Sequence, residues 1–220
     1  MRQVNSKGFD SHPVGDAARA CRIKGKVAAV TRPILRIPKD EERTGGEKLR
    51  GSTGIKQPVA FPPLAMIRVN LNSLVALTLG ILPTMVENRG GMILNVSSTA
   101  GAGLQASPYF TVYAATKAFV LLFSEGLRKE LKDRNTNVKI TCLCPEPTRT
   151  EFASVAEADG MSAPDYMWME SEEVVKIGLQ SLEDNDSVCI PGISNKIHAN
   201  TVKWMPRSIL TDMLGRMNKP

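Results

Sequence analysis

Three observations predict an α/β chain with a parallel sheet. Short β-prone apolar runs alternate one for one with longer helix-forming runs. Two of the strand runs end directly in loops of hydroxyl-bearing, small or proline residues. A composition of 42% hydrophobic residues over 220 positions is enough to bury one sizeable core.

Taken in order, the first strand expected is residues 26–31, which are apolar and β-branched at Val27, Val30 and Thr31. A long helix opens near Ile67 and runs to about Glu87, carrying Asn70 and Asn72 in its first turns. Residues 93–96 form the next strand and lead into Ser97, Ser98, Thr99, Ala100 and Gly101. A strand that feeds a loop at its carboxyl end is where open α/β sheets keep their ligands. A helix then contains Tyr113 and Lys117, and residues 138–144 form a strand followed at once by Pro145, Glu146, Pro147, Thr148, Arg149 and Thr150. Residues 171–179 read as a helix with acids in its first turn, which suits the positive helix end. Residues 187–192 read as a last strand, and the tail from Trp204 to Leu214 as an amphipathic helix.

Tyr113 and Lys117 carry the chemistry. Four residues apart, they share one helix face about a turn from each other. A cation in that position favours the tyrosinate, so the phenol pKa is expected to fall from about 10 toward neutrality. Tyr113 would then serve as a general acid/base. Ser98 lies fifteen residues upstream, at a strand end.

The ordered set of Asn70 on a helix, Ser98 at a strand end, Tyr113 and Lys117 on a helix, and a Pro/Thr loop after a strand resembles the short-chain dehydrogenase/reductase family. The resemblance runs from about Ile67 to Phe152 and continues loosely beyond it. It implies a Rossmann-like doubly wound parallel sheet in a single domain, and transfer of a hydride between NAD or NADP and a carbonyl or alcohol. The implied catalytic residues are Asn70, Ser98, Tyr113 and Lys117. Tyr113 protonates the carbonyl oxygen, Lys117 tunes it and holds the nicotinamide ribose, Ser98 donates to the substrate oxygen, and Asn70 helps hold a water relay. Ser97 is the alternative if the strand ends one residue earlier. Asn72 competes with Asn70, and the family's Val-Asn pair favours Asn70. The implied cofactor contacts are Tyr113, Lys117, Pro145, Thr148 and Thr150. The long helix and the Tyr113 helix form the dimer interface of family members, so a homodimer is expected.

The departures lie mostly upstream. The family follows its first strand with a glycine-rich turn that brings pyrophosphate to a helix N-terminus. Here residues 32–38 hold two prolines and no glycine. Gly45, Gly46, Gly51 and Gly54 come later, match no phosphate-loop template, and read as a loop. Only 69 residues precede Asn70, so the first half of the sheet is expected to be incomplete. After the later strand, Glu146 stands where relatives usually carry glycine. The chain accordingly divides into an atypical basic segment, residues 1–60, and a catalytic part, residues 61–220. The competing function is a non-catalytic relative that has lost cofactor binding and acts, if at all, as a dimerising interaction protein.

Charge and cysteines narrow the remaining classes. Residues 1–60 hold 13 Lys/Arg and 6 Asp/Glu, so the net charge of +6 resides there. Those cations are interspersed with acids beside a single aromatic, Phe9, which argues against nucleic-acid binding. Cys142 and Cys144 alternate on a strand and are expected in the core; Cys21 and Cys189 are isolated, and no metal-ligand spacing is present. A reducing, cytoplasmic setting follows. No apolar leader is expected in residues 1–20, and Arg68, Asn70, Asn72 and Pro83 interrupt residues 64–86 as a membrane span. The substrate loop is expected in residues 152–166, with Met161 in it and Met167, Trp168 and Met169 just beyond, pointing to an apolar or acyl substrate.

Overall fold

The structure, a computed structural model, describes residues 18–23, 26–31, 63–102, 106–150, 165–202 and 204–219. Residues 32–38, the Gly45–Gly54 loop, most of the expected substrate loop and its Met161 lie outside them.

The main sheet contains β1 (Ala18–Ile23), β2 (Lys26–Thr31), β3 (Gly91–Val96), β4 (Val138–Leu143) and β7 (Val188–Cys189), side by side in that order. From β2 onward every pairing is parallel, with Thr31 opposite Asn95, Val96 opposite Leu143 and Leu143 opposite Cys189. The strand expected at 26–31 is therefore present and neighbours β3. β1 was not expected; it pairs antiparallel with β2, Ile23 opposite Lys26. The sheet is thus parallel except at this edge, where a hairpin stands in place of a strand–helix–strand unit. The last strand is also shorter than the 187–192 run, because Pro191 has no N–H to continue the ladder.

Helices cover both faces. α1 (Pro63–Glu87) is helical throughout but contains a π turn at Arg68–Ser73. α2 (Thr99–Ala102) is a single turn, and α3 (Thr111–Asp133) is the longest helix after α1. α4 (Ser171–Glu183), α5 (Ile193–Val202) and α6 (Arg207–Met217) follow. A two-residue pairing of β5 (Thr148–Arg149) with β6 (Met169–Glu170) ties the loop after β4 to the approach to α4.

Alternation along the strands decides which helix each side chain meets. Met92 and Leu94 of β3, with Leu143, pack on Val174 and Leu182 of α4. Ile93 and Ile140 turn the other way, onto Met85 of α1 and Leu127 and Leu131 of α3. Cys142 and Cys144 face that same side, against Leu74, Val120 and Leu121. The central strands are buried on both faces, which explains their unbroken apolar character. Each fully buried Leu, Ile or Val here contributes about 1.5–3 kcal/mol. This is the doubly wound α/β arrangement expected from the sequence.

α1 is, among the described residues, the one helix long and apolar enough to cross a membrane by length and composition. Leu74, Thr78 and Met85 bury against the sheet side, whereas Leu64, Leu79 and Val86 are exposed.

Candidate active site

The register places two loops at one end of the sheet. Because Val96 pairs with Leu143, the chain leaving β3 and the chain leaving β4 emerge together. They remain laced: Ser97 N–H donates to Leu143 O at 2.7 Å, and Thr99 N–H to Pro145 O at 3.1 Å. Ser98 and Pro145 thus sit at the carboxyl edge, the ligand-bearing edge of an open parallel sheet.

α3 supplies Tyr113 and Lys117 at that edge. Its buried residues Ala114, Lys117, Val120, Leu121, Ser124, Leu127 and Leu131 recur at helical spacing and dock it on β3 and β4. Close approach of α2 is permitted by Gly101: a Cβ there would lie 2.5 Å from Ala118 N and against the Lys117 carbonyl. Lys117 is then held from both ends by the exit of β3. Ser97 Oγ donates to the Lys117 backbone carbonyl at 2.6 Å, and Lys117 Nζ donates to Val96 O at 3.1 Å. Ser97 is therefore a helix anchor, and Ser98 is the serine that faces the tyrosine.

Ser98 Oγ accepts the Ala100 N–H at 3.2 Å, leaving its own proton to hydrogen-bond the Tyr113 phenol. Lys117 Nζ stands over the Tyr113 ring, 5.7 Å from its centroid. Asn70 is buried in the π turn of α1, and its Nδ2 donates to Thr116 Oγ1 at 2.9 Å. Thr116 Oγ1 in turn donates to Tyr113 O at 2.8 Å. Ser98, Tyr113, Lys117 and Asn70 converge. Thr116, which connects them, was not singled out from the sequence; its only local sign is its place beside Lys117.

The protonation states correct one expectation. Burial raises the Tyr113 pKa above its usual value, and the Ser98 hydrogen bond only partly opposes that. The ammonium was expected to lower it, but Nζ lies over the ring face and is bonded to Val96 O. Lys117 itself is pulled down to about 8 by burial, against the opposing influence of Cys142 and Cys144. Those two thiols lie 3.9 Å apart and fully buried, and the hydrogen bond with Cys142, followed by burial, raises Cys144 far above the ordinary thiol range.

In the loop after β4, Thr148 Oγ1 donates to Glu146 O at 2.9 Å and Thr150 Oγ1 to Thr148 O at 3.4 Å. Pro145 is half-buried beside Thr99, and Thr150 is exposed.

Residues 63–160 match the family model for short chain dehydrogenase. Over this part the chain is similar to the short-chain dehydrogenase/reductase family. It is 31% identical over 160 residues to a very-long-chain 3-oxoacyl-CoA reductase of Anas platyrhynchos, an alignment covering 70% of this chain and 46% of that one. It is 34% identical over 116 residues to mouse 17-beta-hydroxysteroid dehydrogenase type 3, covering 53% of this chain and 37% of the relative. The chain thus spans less than half the length of these two relatives. Among solved structures it resembles a short chain dehydrogenase from Burkholderia cenocepacia in complex with NADP, with TM-score 0.56 and 25% identity over 69% of this chain and 58% of that one. A short-chain dehydrogenase from Sphingobium yanoikuyae in complex with NADPH gives TM-score 0.55 and 27% identity over 69% and 57%.

A nicotinamide dinucleotide is the group this dehydrogenase family implies. The groups at the sheet edge fit its reacting end: Lys117 Nζ has two protons beyond the one given to Val96, and the Tyr113 hydroxyl lies one helical turn away. The residues after β2, where the family carries its pyrophosphate-binding turn, lie outside the described part.

Proposed function

We propose that this chain carries the site of an NAD(P)-dependent oxidoreductase that interconverts a carbonyl and an alcohol on an apolar or acyl substrate. The observation that carries the reading is the convergence of the Ser98 hydroxyl, the Tyr113 phenol and the Lys117 ammonium at the carboxyl edge of β3 and β4. The dinucleotide, when bound, supplies the hydride. With a carbonyl bound, the Ser98 hydroxyl would turn its one proton from the Tyr113 phenol to the carbonyl oxygen, so that Ser98 and Tyr113 both donate where negative charge develops, as in an oxyanion hole. Tyr113, neutral at pH 7 because burial keeps its pKa high, gives the proton that converts the nascent alkoxide to the alcohol. Lys117, cationic below about pH 8, offsets the charge left on the phenolate. Asn70 fixes the backbone of this helix through Thr116.

The names of the relatives support 3-oxoacyl thioesters and steroid ketones as the substrate classes to try first. The NADP and NADPH of the two solved relatives support a nicotinamide cofactor. Purified chain is assayed with both substrate classes against NADPH and NADH. Turnover of one class supports the reading, and no turnover of either by folded protein that binds a dinucleotide counts against it. The exposed Leu79 and Val86 of α1 and Leu122 of α3 suit pairing of two copies, which sedimentation would test.

A second reading, a non-catalytic relative that has lost cofactor binding, is favoured by one observation. The hairpin of β1 and β2 occupies the sheet edge where further parallel strands belong, and residues 32–38 after β2 contain no glycine. Absence of NADPH and NADH binding by folded protein would select it.

A further inference from the structure

α3 begins without a local cap. Its N-cap residue is Phe110, which makes no side-chain cap hydrogen bond, and no acid occupies the first turn. A helix end with an apolar N-cap leaves N–H groups unpaired and frays readily. Tyr113 lies only three residues past that end, so the start of α3 has to be fixed by something else.

The loop before it is tightly drawn. Tyr109 has φ +67°, a left-handed conformation that costs a bulky residue of order 1–3 kcal/mol and persists only where its surroundings impose it. Phe110 N–H closes the turn onto Ser107 O at 3.1 Å, and Phe110 O accepts Ala114 N–H at 2.9 Å. Phe110 is buried with Met66, and Tyr109, Val112 and Tyr113 pack on that pair. A shift in this turn is thereby passed to the residue that bears the phenol.

What holds the turn comes from the far end of the chain. Asn218, the C-cap of α6, donates from Nδ2 to Ser107 Oγ and to Pro108 O, each at 3.1 Å. The Pro108 carbonyl can only accept, which fixes the orientation of the amide. One turn earlier, Gly215 lies close enough to Pro108 that an added Cβ would touch its Cγ at 3.5 Å. Leu210, buried on α6, anchors the helix that carries both residues.

We propose that Asn218 is a positioning residue for Tyr113: by donating to Ser107 and Pro108 it tethers the turn from which the uncapped α3 starts, and so holds the phenol in reacting position. The catalytic half of the proposal rests on the oxidoreductase reading; the tether itself does not.

The test compares wild type, Asn218→Ala and Ser107→Ala in the full chain, by hydrogen exchange and by NADPH-dependent reduction of a 3-oxoacyl thioester probe. With both bonds of Asn218 lost, the hydrogen-bonded amides of Phe110 and Ala114 should exchange about tenfold faster, while β3 and α4 exchange as before. The kcat should fall about tenfold with the KM for NADPH unchanged, since a misplaced general acid affects the chemical step rather than dinucleotide binding. Ser107→Ala keeps the Pro108 acceptor and should give a smaller effect of the same kind, which serves if Asn218→Ala folds poorly. Unchanged exchange at Phe110 and Ala114 in both variants would overturn the tether. Faster exchange with kcat unchanged, in a wild type that turns over, would overturn the positioning role. A wild type that turns over nothing would count against the oxidoreductase reading, and exchange would still decide the tether.

Discussion

Asn70 Nδ2 donates to Thr116 Oγ1 at 2.9 Å, joining the π turn of α1 to the turn of α3 that lies between Tyr113 and Lys117. Both residues are buried, so neither can exchange this bond for water at little cost. A π turn inserts an extra residue per turn and shifts the following side chains around the helix, and such turns recur at functional sites. Here the turn coincides with the residue that reaches α3.

This bond predicts coupling between two distant positions. Thr116→Val should destabilise by about 1–3 kcal/mol because it leaves the buried Asn70 Nδ2 unpaired, and Asn70→Ala by about 1 kcal/mol, since Thr116 Oγ1 keeps its bond to Tyr113 O. The double variant should cost clearly less than their sum. Urea unfolding of the four proteins checks it, and strict additivity would show that the bond contributes nothing.

Tyr113 titrates above its ordinary value, so the acid form dominates at neutral pH. Carbonyl reduction, which consumes that proton, should be insensitive to pH up to about 8, where Lys117 begins to lose its charge. Alcohol oxidation, which needs the phenolate, should accelerate as pH rises. Tyr113→Phe should lose about a hundredfold or more in both directions, within the usual range for general acid–base catalysis, and leave dinucleotide affinity nearly intact. Initial rates in each direction across pH test this.

Lys117 makes an opposite-signed statement about stability. Its folded pKa is about 8 against an ordinary 10.5. Between those values the unfolded chain binds the proton and the folded chain does not, so this group makes folding more favourable as pH rises through that window. Below about pH 8 both states are protonated and the full cost of burying the ammonium is present. Lys117→Met should therefore be more stable than wild type near pH 7, with the advantage shrinking toward pH 10. It should also bind NADPH about tenfold or more weakly, as expected for a lost charged hydrogen bond. Denaturant titrations at both ends of the window, with a nucleotide titration, check the pair of effects.

Two glycines in helices should respond oppositely to alanine. Gly101 has the backbone of Lys117 and Ala118 where its Cβ would go, so Gly101→Ala should destabilise by about 1–3 kcal/mol and displace Ser98 from Tyr113. Gly80 on α1 has nothing within 4 Å, so Gly80→Ala should gain about 0.5–1 kcal/mol. Thermal unfolding of both variants reads the contrast.

Local patterns were legible in the sequence and long-range ones were not. β3 and β4 were readable because buried parallel strands are continuous apolar runs, and the pairing of Tyr113 with Lys117 because i and i+4 always share a face. Cys142 and Cys144 fell on one strand face for the same reason. The Asn70–Thr116 bond spans 46 residues, and the Asn218–Ser107 bond spans 111; neither leaves a local trace. β1 was missed because Arg19 and Arg22 interrupt its apolar run, and β5 and β6 because two residues make no pattern. The direction of the Tyr113 shift was misread because sequence spacing fixes the lysine's distance along the helix but not the burial around the phenol.

The most direct test follows the hydride itself. NADPH carrying deuterium at both C4 positions of the nicotinamide is incubated with the chain and a 3-oxoacyl thioester or a steroid ketone, and the product is weighed by mass spectrometry. The account predicts an alcohol bearing one deuterium from the wild-type chain, formed about a hundredfold or more faster than by Tyr113→Phe. Folded wild-type chain that binds NADPH yet transfers no deuterium to either class, or a Tyr113→Phe chain that transfers it as fast as wild type, would contradict the account.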